Sequence, residues 1–212
     1  MRILFCDTAS HDGMIACVTD DKIAALDSID HRIDDAGLVS RIEAMLTSAK
    51  WTYHDFTHIA CVIGPGGFMS LRTAVALVNV MSHELDIPVC GIHLSDMYFA
   101  RMPLSLYRLP AKQEIRAAWL HSTKRFELFI RGFGSLKEKF PEPQRIAAGD
   151  LKHAISAGTR WTGELISEHR AIVAGTGAEE IRLETKEDTL PVFLKAQSYK
   201  KQTLQPWYGR EW

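Results

Sequence analysis

The chain has 212 residues, is 46% hydrophobic and carries a formal net charge of −1. That size and apolar content supply one large core or two smaller ones, which argues against a disordered or repeat architecture. The near-neutral balance gives no electrostatic ground for unaided binding to nucleic acid or to an anionic membrane.

Three short apolar runs come first, Arg2 to Cys6, Met14 to Val18 and Ile23 to Ile29. The turn-rich segments between them are too short for a crossover, so an antiparallel meander is predicted. The period then changes: Leu38, Ile42, Met45, Leu46 and Ala49 keep helical spacing, with Asp34 or Asp35 available as the cap. His58 to Ile63 is the next predicted strand. It runs into Gly64-Pro65-Gly66-Gly67, a helix of about five turns to Leu85, and a second apolar strand opening at Ile87-Pro88. On that helix Leu71, Ala74, Val75, Val78 and Met81 mark one apolar face, while Met69, Ala76, Leu77 and Val80 fall on others. A helix apolar on two sides needs a sheet on one and something else on the other.

A short helix is expected from Ser95, after which Pro103 and Pro110 break the pattern. The predicted boundary gives an N-terminal lobe, 1–105, and a shorter C-terminal lobe, 106–212. In the second lobe Ala117 to His121 and Phe126 to Phe133 read as a hairpin, and Gly149 to Ala157 as a helix. Arg170 to Ala174 reads as a strand entering Gly175-Thr176-Gly177, and Ala178 to Leu183 as a helix. The phenylalanine-to-leucine stretch 68–85 is interrupted by Arg72, Asn79, His83 and Glu84, and no basic-then-apolar signal opens the chain, so a soluble cytoplasmic protein is expected, with no membrane partner.

The candidate chemistry is sparse. Cys6, Cys17, Cys61 and Cys90 sit singly in strand-like runs and read as buried, inert thiols. Gly64 to Gly67 precedes a helix, where unpaired N–H groups can hold phosphate; it lacks the Lys-Ser/Thr end of a P-loop, and the favoured reading is a tight turn that lets Phe68 pack into the core. Arg72 stands near the positive end of that helix, an unfavourable place unless an acid or anion compensates. His54 and His58 are four apart, but they straddle a loop-to-strand junction, where an extended segment separates them beyond one metal's reach. Asp20-Asp21, Asp34-Asp35 and Glu179-Glu180 read as surface or capping groups. The tail from Ser198 mixes Lys200 and Lys201 with Trp207, Tyr208 and Trp212; packing on its own lobe or on a partner is favoured over RNA binding. No catalytic, cofactor or metal residue is assigned.

The βββαβαβ order is that of one half of an actin-like, sugar-kinase-like or Hsp70-like ATPase fold, an α/β architecture of two lobes with mixed sheets flanked by helices. Gly64-Pro65-Gly66-Gly67-Phe68-Met69-Ser70-Leu71-Arg72 also resembles the TsaB family, whose members carry Gly-Pro-Gly-Ser-Phe-Thr-Gly-Leu-Arg there; this chain departs at Gly67, Met69 and Ser70. Further likeness lies in Ile3 to Thr8, Ile87 to Gly91, Trp161 to Gly163, Val173 to Ala178 and Leu190 to Lys195. Within such a fold Asp7-Thr8-Ala9-Ser10 stands at the first phosphate loop without its glycine, and the hairpin turn Ser122-Thr123-Lys124-Arg125 has no aspartate, so no ATP hydrolysis is expected. Gly175-Thr176-Gly177 resembles an adenosine loop, with a plain turn preferred.

The resemblance implies a non-catalytic partner of TsaD in the complex that transfers threonylcarbamoyl to adenosine 37 of ANN-decoding tRNAs. TsaE would be a further partner, tRNA would be met only through the complex, and a homodimer is expected of the isolated chain. By analogy the partner surface would use Leu38, Ile42, Met45, Leu46, Met69, Arg72, Thr73, Ala76 and Val80. The competing expectation is an independent small-molecule kinase or metallopeptidase-like enzyme of the same fold.

Overall fold

Short turns between apolar runs leave each strand one neighbour within reach, and the chain uses it. In the computed structural model, which describes residues 1–29, 37–106 and 115–209, Arg2–Asp7 (β1), Gly13–Thr19 (β2) and Ile23–Ile29 (β3) form the expected antiparallel meander. Gly37–Ala49 (α1) follows, then His58–Gly64 (β4), Phe68–Leu85 (α2), Val89–His93 (β5) and Leu94–Ala100 (α3). β4 joins β1 in parallel, Ile3 beside His58 through Cys6 beside Cys61, and β5 joins β4. The strand order is β3-β2-β1-β4-β5.

β1 and β2 are buried along almost their whole length, without the in–out alternation of a sheet wetted on one face, because both faces are covered. On one face Leu4, Cys6, Ile15 and Cys17 meet Leu38, Ile42, Met45 and Leu46 of α1 and Ala74, Val75, Val78 and Met81 of α2. α2 ends where Asp86 turns left-handed, φ 54°, and its N–H returns to the His83 carbonyl at 3.3 Å.

The second unit repeats this plan. Arg116–Ser122 (β6), Glu127–Gly134 (β7) and Gln144–Ala147 (β8) form a meander; Leu151–Ala154 (α4), Arg160–Glu164 (β9), Ser167–Ala174 (α5) and Glu179–Glu180 (β10) follow. β9 lies parallel to β6 and β10 parallel to β9, giving the order β10-β9-β6-β7-β8. Read from the edge of the meander inward, both sheets run third strand, second, first, fourth, fifth.

Three expectations need correction. Arg170 to Ala174 lies in α5, not in a strand; His169 and Val173, one helical turn apart, are both buried, a pairing a four-residue apolar run cannot reveal. Ala178 to Leu183 is not helical: after Gly177 (φ 73°) the backbone extends, and the Ile181 N–H reaches the Trp161 carbonyl at 2.7 Å. The division also differs from 1–105 and 106–212. The compact units are Met1–Met97 with Thr185–Arg210, and Tyr98–Glu184, so the last helix, Lys186–Lys195 (α6), and the tail belong with the first sheet. Asp34, Asp35, Pro110 and Trp212 lie outside the described residues.

Candidate functional site

β1 ends at Asp7, which is 1% exposed. Its carboxylate accepts from the Ala9 N–H at 3.0 Å, the Ser10 N–H at 3.1 Å and the Ser10 hydroxyl at 2.6 Å. Burial pushes the carboxyl up, and these bonds together with the Lys186 ammonium act against that rise. A phosphate loop presents its backbone donors to a ligand; in this loop two of them are already committed to the chain's own carboxylate. The Thr8 hydroxyl donates to the Ser70 carbonyl at 3.0 Å, and Gly66 packs on Ala9, so the β1 loop and the glycine loop close on each other.

The corresponding turn of the second unit, between β6 and β7, is also internally satisfied. Ser122 donates to His169 Nδ1 at 2.7 Å and accepts from the Ile166 N–H at 3.2 Å, and His169 Nε2 donates to the Arg125 carbonyl at 2.9 Å. Both side chains are buried. Because Nε2 faces a carbonyl, it carries the proton, and Nδ1 is the acceptor for the serine hydroxyl. Beside them His121 Nδ1 lies 3.2 Å from Glu164 Oε2, and its ring stacks on Trp119. The Ser122–His169 pair joins residues far apart in the chain, and no local sequence pattern announces it.

The distinctive surface of the first unit lies along α2. Met69 is 60% exposed and Val80 59%, and Arg72, Ala76 and half-buried Thr73 fall between them. Their spacing of three and four residues puts them on one helical face, opposite the buried Leu71, Ala74, Val75, Val78 and Met81. Phe68 does not enter the core as expected: it is 46% exposed and lies under the Arg72 guanidinium, 3.9 Å from ring centroid to carbon.

The tail completes this end of α2. Lys200 pairs with Val89 on the edge of β5, its N–H donating at 3.0 Å and its carbonyl accepting at 2.9 Å. The Asn79 amide donates to the Leu204 carbonyl at 3.0 Å and accepts from the Leu204 N–H at 2.8 Å, an imitation of strand pairing by a side chain. The Trp207 N–H then reaches the Ile63 carbonyl at 2.7 Å, and the Tyr208 hydroxyl accepts from Arg72 Nε at 3.1 Å. The expectation that the tail packs on its own C-terminal lobe or on a partner needs correction: it packs instead on the first unit, where the edge of β5 and the side chain of Asn79 offer it hydrogen-bond partners.

Of the expected partner residues, Met69, Arg72, Thr73, Ala76 and Val80 share the open face of α2. Leu38, Ile42, Met45 and Leu46 do not join them. They are buried at 4% exposure or less in the unit's own core, because the apolar stripe of an amphipathic surface helix is the stripe that packs on its sheet. His54 sits in a 3₁₀ turn, Tyr53–Asp55, while His58 opens β4 with Nδ1 2.8 Å from the Thr57 hydroxyl. All four cysteines are free and buried, and burial pushes the thiols of Cys6 and Cys17 up to about 12. Gly175 to Gly177 is a hydrogen-bonded turn closing α5, with the Thr176 hydroxyl donating to the Val173 carbonyl at 2.7 Å.

Two five-stranded mixed sheets of the same order, each with helices, define an actin-like, sugar-kinase and Hsp70-like ATPase architecture. Residues 35–110, well under half of the chain, match the TsaD family, described as tRNA N6-adenosine threonylcarbamoyltransferase. Over 99% of both chains the fold is similar, at a TM-score of 0.67 and 16% identity, to an uncharacterized protein with similarity to peptidase YeaZ from Pseudomonas aeruginosa. YeaZ from Pseudomonas aeruginosa is similar over 63% of this chain and 60% of its own, at a TM-score of 0.50 and 18% identity. No curated protein matches the sequence. The structural likenesses, at 16% and 18% identity, show the fold, and the family match covers residues 35–110. Among the described residues, no helix is long and apolar enough to cross a membrane.

Proposed function

We propose that this chain is a non-catalytic subunit that binds a TsaD-type protein through the open face of α2 and supports threonylcarbamoyl transfer to adenosine 37 of ANN-decoding tRNAs. The observation that carries the reading is the face itself. Met69, Ala76 and Val80 form an apolar strip in contact with water on a helix whose other side is fully packed. Continuous exposed apolar surface marks an interaction site more often than chance exposure does. The TsaD-family match, which spans both α1 and α2, and the YeaZ-like fold support the choice of a TsaD-type partner.

The committed donors of the Asp7 loop and the self-contained Ser122–His169 pair support a scaffold rather than an ATPase. In this reading the partner supplies the metal and the reacting groups, TsaE joins the same assembly, and tRNA is met only there. The isolated chain covers its strip by pairing with a second copy.

Calorimetry with the TsaD-type protein of the same organism tests the proposal. Wild-type chain binds, and Val80→Asp, at an exposed position, weakens binding by about 2 kcal/mol by burying an unpaired charge at the contact. Its thermal melt stays at the wild-type value. Full affinity in Val80→Asp moves the interface elsewhere, and steady ATP turnover by the pure chain restores the kinase reading.

A further inference from the structure

Arg72 is held in a manner that an ordinary surface arginine is not. Its guanidinium carbon lies 3.9 Å from the centroid of the Phe68 ring, and its Nε donates to the Tyr208 hydroxyl at 3.1 Å. The two rings lie 5.0 Å apart. One face and one of the five donors of the guanidinium are therefore occupied, and the donors of the two terminal nitrogens remain. Among the described residues no carboxylate is in ion-pair contact with Arg72. The side chain projects from the first turns of α2, where the helix dipole disfavours a cation. It also stands on the face that carries Met69, Ala76 and Val80.

The element that holds Arg72 has a built seat. Tyr208 reaches it only because the tail is pinned at Lys200, Leu204 and Trp207. Two glycines make room for that path. A Cβ on Gly64 would lie 2.1 Å from the Trp207 carbonyl oxygen, and one on Gly91 would lie 3.2 Å from Leu204 Cδ2. A tail that merely drifted over the surface would require neither opening.

Resting on the partner reading above, we infer that Arg72 recognises a carboxylate on the TsaD-type partner and that the C-terminal strap, through Tyr208, positions it. The occupant of this end of the face is then an apolar protein surface bearing an aspartate or glutamate. A carboxylate takes two parallel N–H bonds from the free end of a guanidinium whose orientation is already set, and its charge resolves the conflict with the helix dipole. An RNA phosphate offers similar oxygens, but one cation on a chain of net charge −1 does not provide the multiple phosphate contacts on which nucleic-acid affinity depends.

The test measures Kd for the TsaD-type protein of the same organism at two salt concentrations, with a thermal melt of each variant. Arg72→Gln is expected to raise Kd about tenfold or more, as for loss of a charge-assisted pair, and to flatten the salt dependence. Arg72→Lys falls between, since a point charge cannot reproduce the fork. Tyr208→Phe, which removes only the positioning hydroxyl, raises Kd severalfold while the melt stays unchanged. Wild-type binding with an unaltered Kd and salt slope in Arg72→Gln overturns this inference alone; absence of wild-type binding removes the partner reading and this inference with it. Retention of tRNA by the isolated chain, lost in Arg72→Gln, assigns the residue to phosphate and also overturns it. Should Arg72→Gln melt early, Arg72→Lys decides, because it keeps the stem and the charge, and its Kd must still rise.

Discussion

Gly66 and Ala9 touch backbone to backbone: a Cβ placed on Gly66 would lie 2.7 Å from the Ala9 Cα and 2.8 Å from its carbonyl oxygen. This contact seals the β1 loop against the glycine loop, and a side chain at position 66 forces the two apart. Gly66→Ala is expected to lower stability by about 1–3 kcal/mol, the usual range for overpacking, in a urea titration. Gly67 is different. It caps α2 without a side-chain bond, and its Cβ would meet only the Ser70 side chain, Oγ at 3.4 Å and Cβ at 3.9 Å. Gly67→Ser, the residue the TsaB motif carries there, should add a few tenths of a kcal/mol through an N-cap bond.

The buried carboxyl of Asp7 sets a pH dependence of definite sign. Its folded pKa is raised above the ordinary 3.8 by burial, so the folded chain binds the proton more tightly than the unfolded one. Stability contributed by that group therefore falls as pH rises from 3.8 through the folded value, and the loss is complete only above that value. Asp7→Asn removes this loss and keeps an oxygen for the Ala9 and Ser10 N–H groups. The variant should melt at or above the wild-type temperature at pH 7, with the difference shrinking as pH is lowered toward 4. A variant less stable at pH 7 than wild type, with the gap closing in acid, would show that the charged form is the better acceptor.

Met45 separates core from surface. It is 3% exposed among Leu4, Ile42 and their neighbours, so Met45→Ala should cost about 2–5 kcal/mol in urea unfolding, as buried methionine truncations do. Ala44, the exposed residue beside it, should accept serine within about 0.5 kcal/mol. Equal effects at the two positions would contradict the placement of α1.

Ser122 holds two groups at once, the part-buried Ile166 N–H and the buried His169 ring. Ser122→Ala leaves both without that partner and should lower stability by about 1–3 kcal/mol. Ser122→Thr keeps the hydroxyl and separates loss of the bond from loss of volume. If alanine and threonine are equally mild, the pair is not what joins β6 to α5.

The four thiols should be silent toward a disulfide reagent at pH 8 in the folded chain and all react once it is unfolded. Burial keeps them protonated, to about 12 for Cys6 and Cys17. Rapid labelling of any one under native conditions would reveal local opening of the first sheet.

The amino-acid pattern by itself determined β1 to β5, the span of α2 and the division of its apolar residues into two faces. Those elements are long, strongly periodic and bounded by glycine, proline and turn residues, so local sterics and burial agree. Set beside the fold that the chain resembles, the same residues show no glycine in the Asp7 loop and no aspartate in the Ser122 turn. Tertiary structure decided the rest. Periodicity shows that a helix has an apolar stripe but not what covers it, so Leu38, Ile42, Met45 and Leu46 suit an interface or a core alike, and here it is the unit's own sheet that covers them. The short run Arg170 to Ala174 suits a strand or a helix equally, and the buried pairing of His169 with Ser122 settles it as a helix. The return of the tail to β5 and α2 rests on contacts between Asn79 and Leu204 and between Arg72 and Tyr208. Pairings across more than a hundred residues leave no trace in local spacing, because their geometry exists only once both partners have been brought together by the fold.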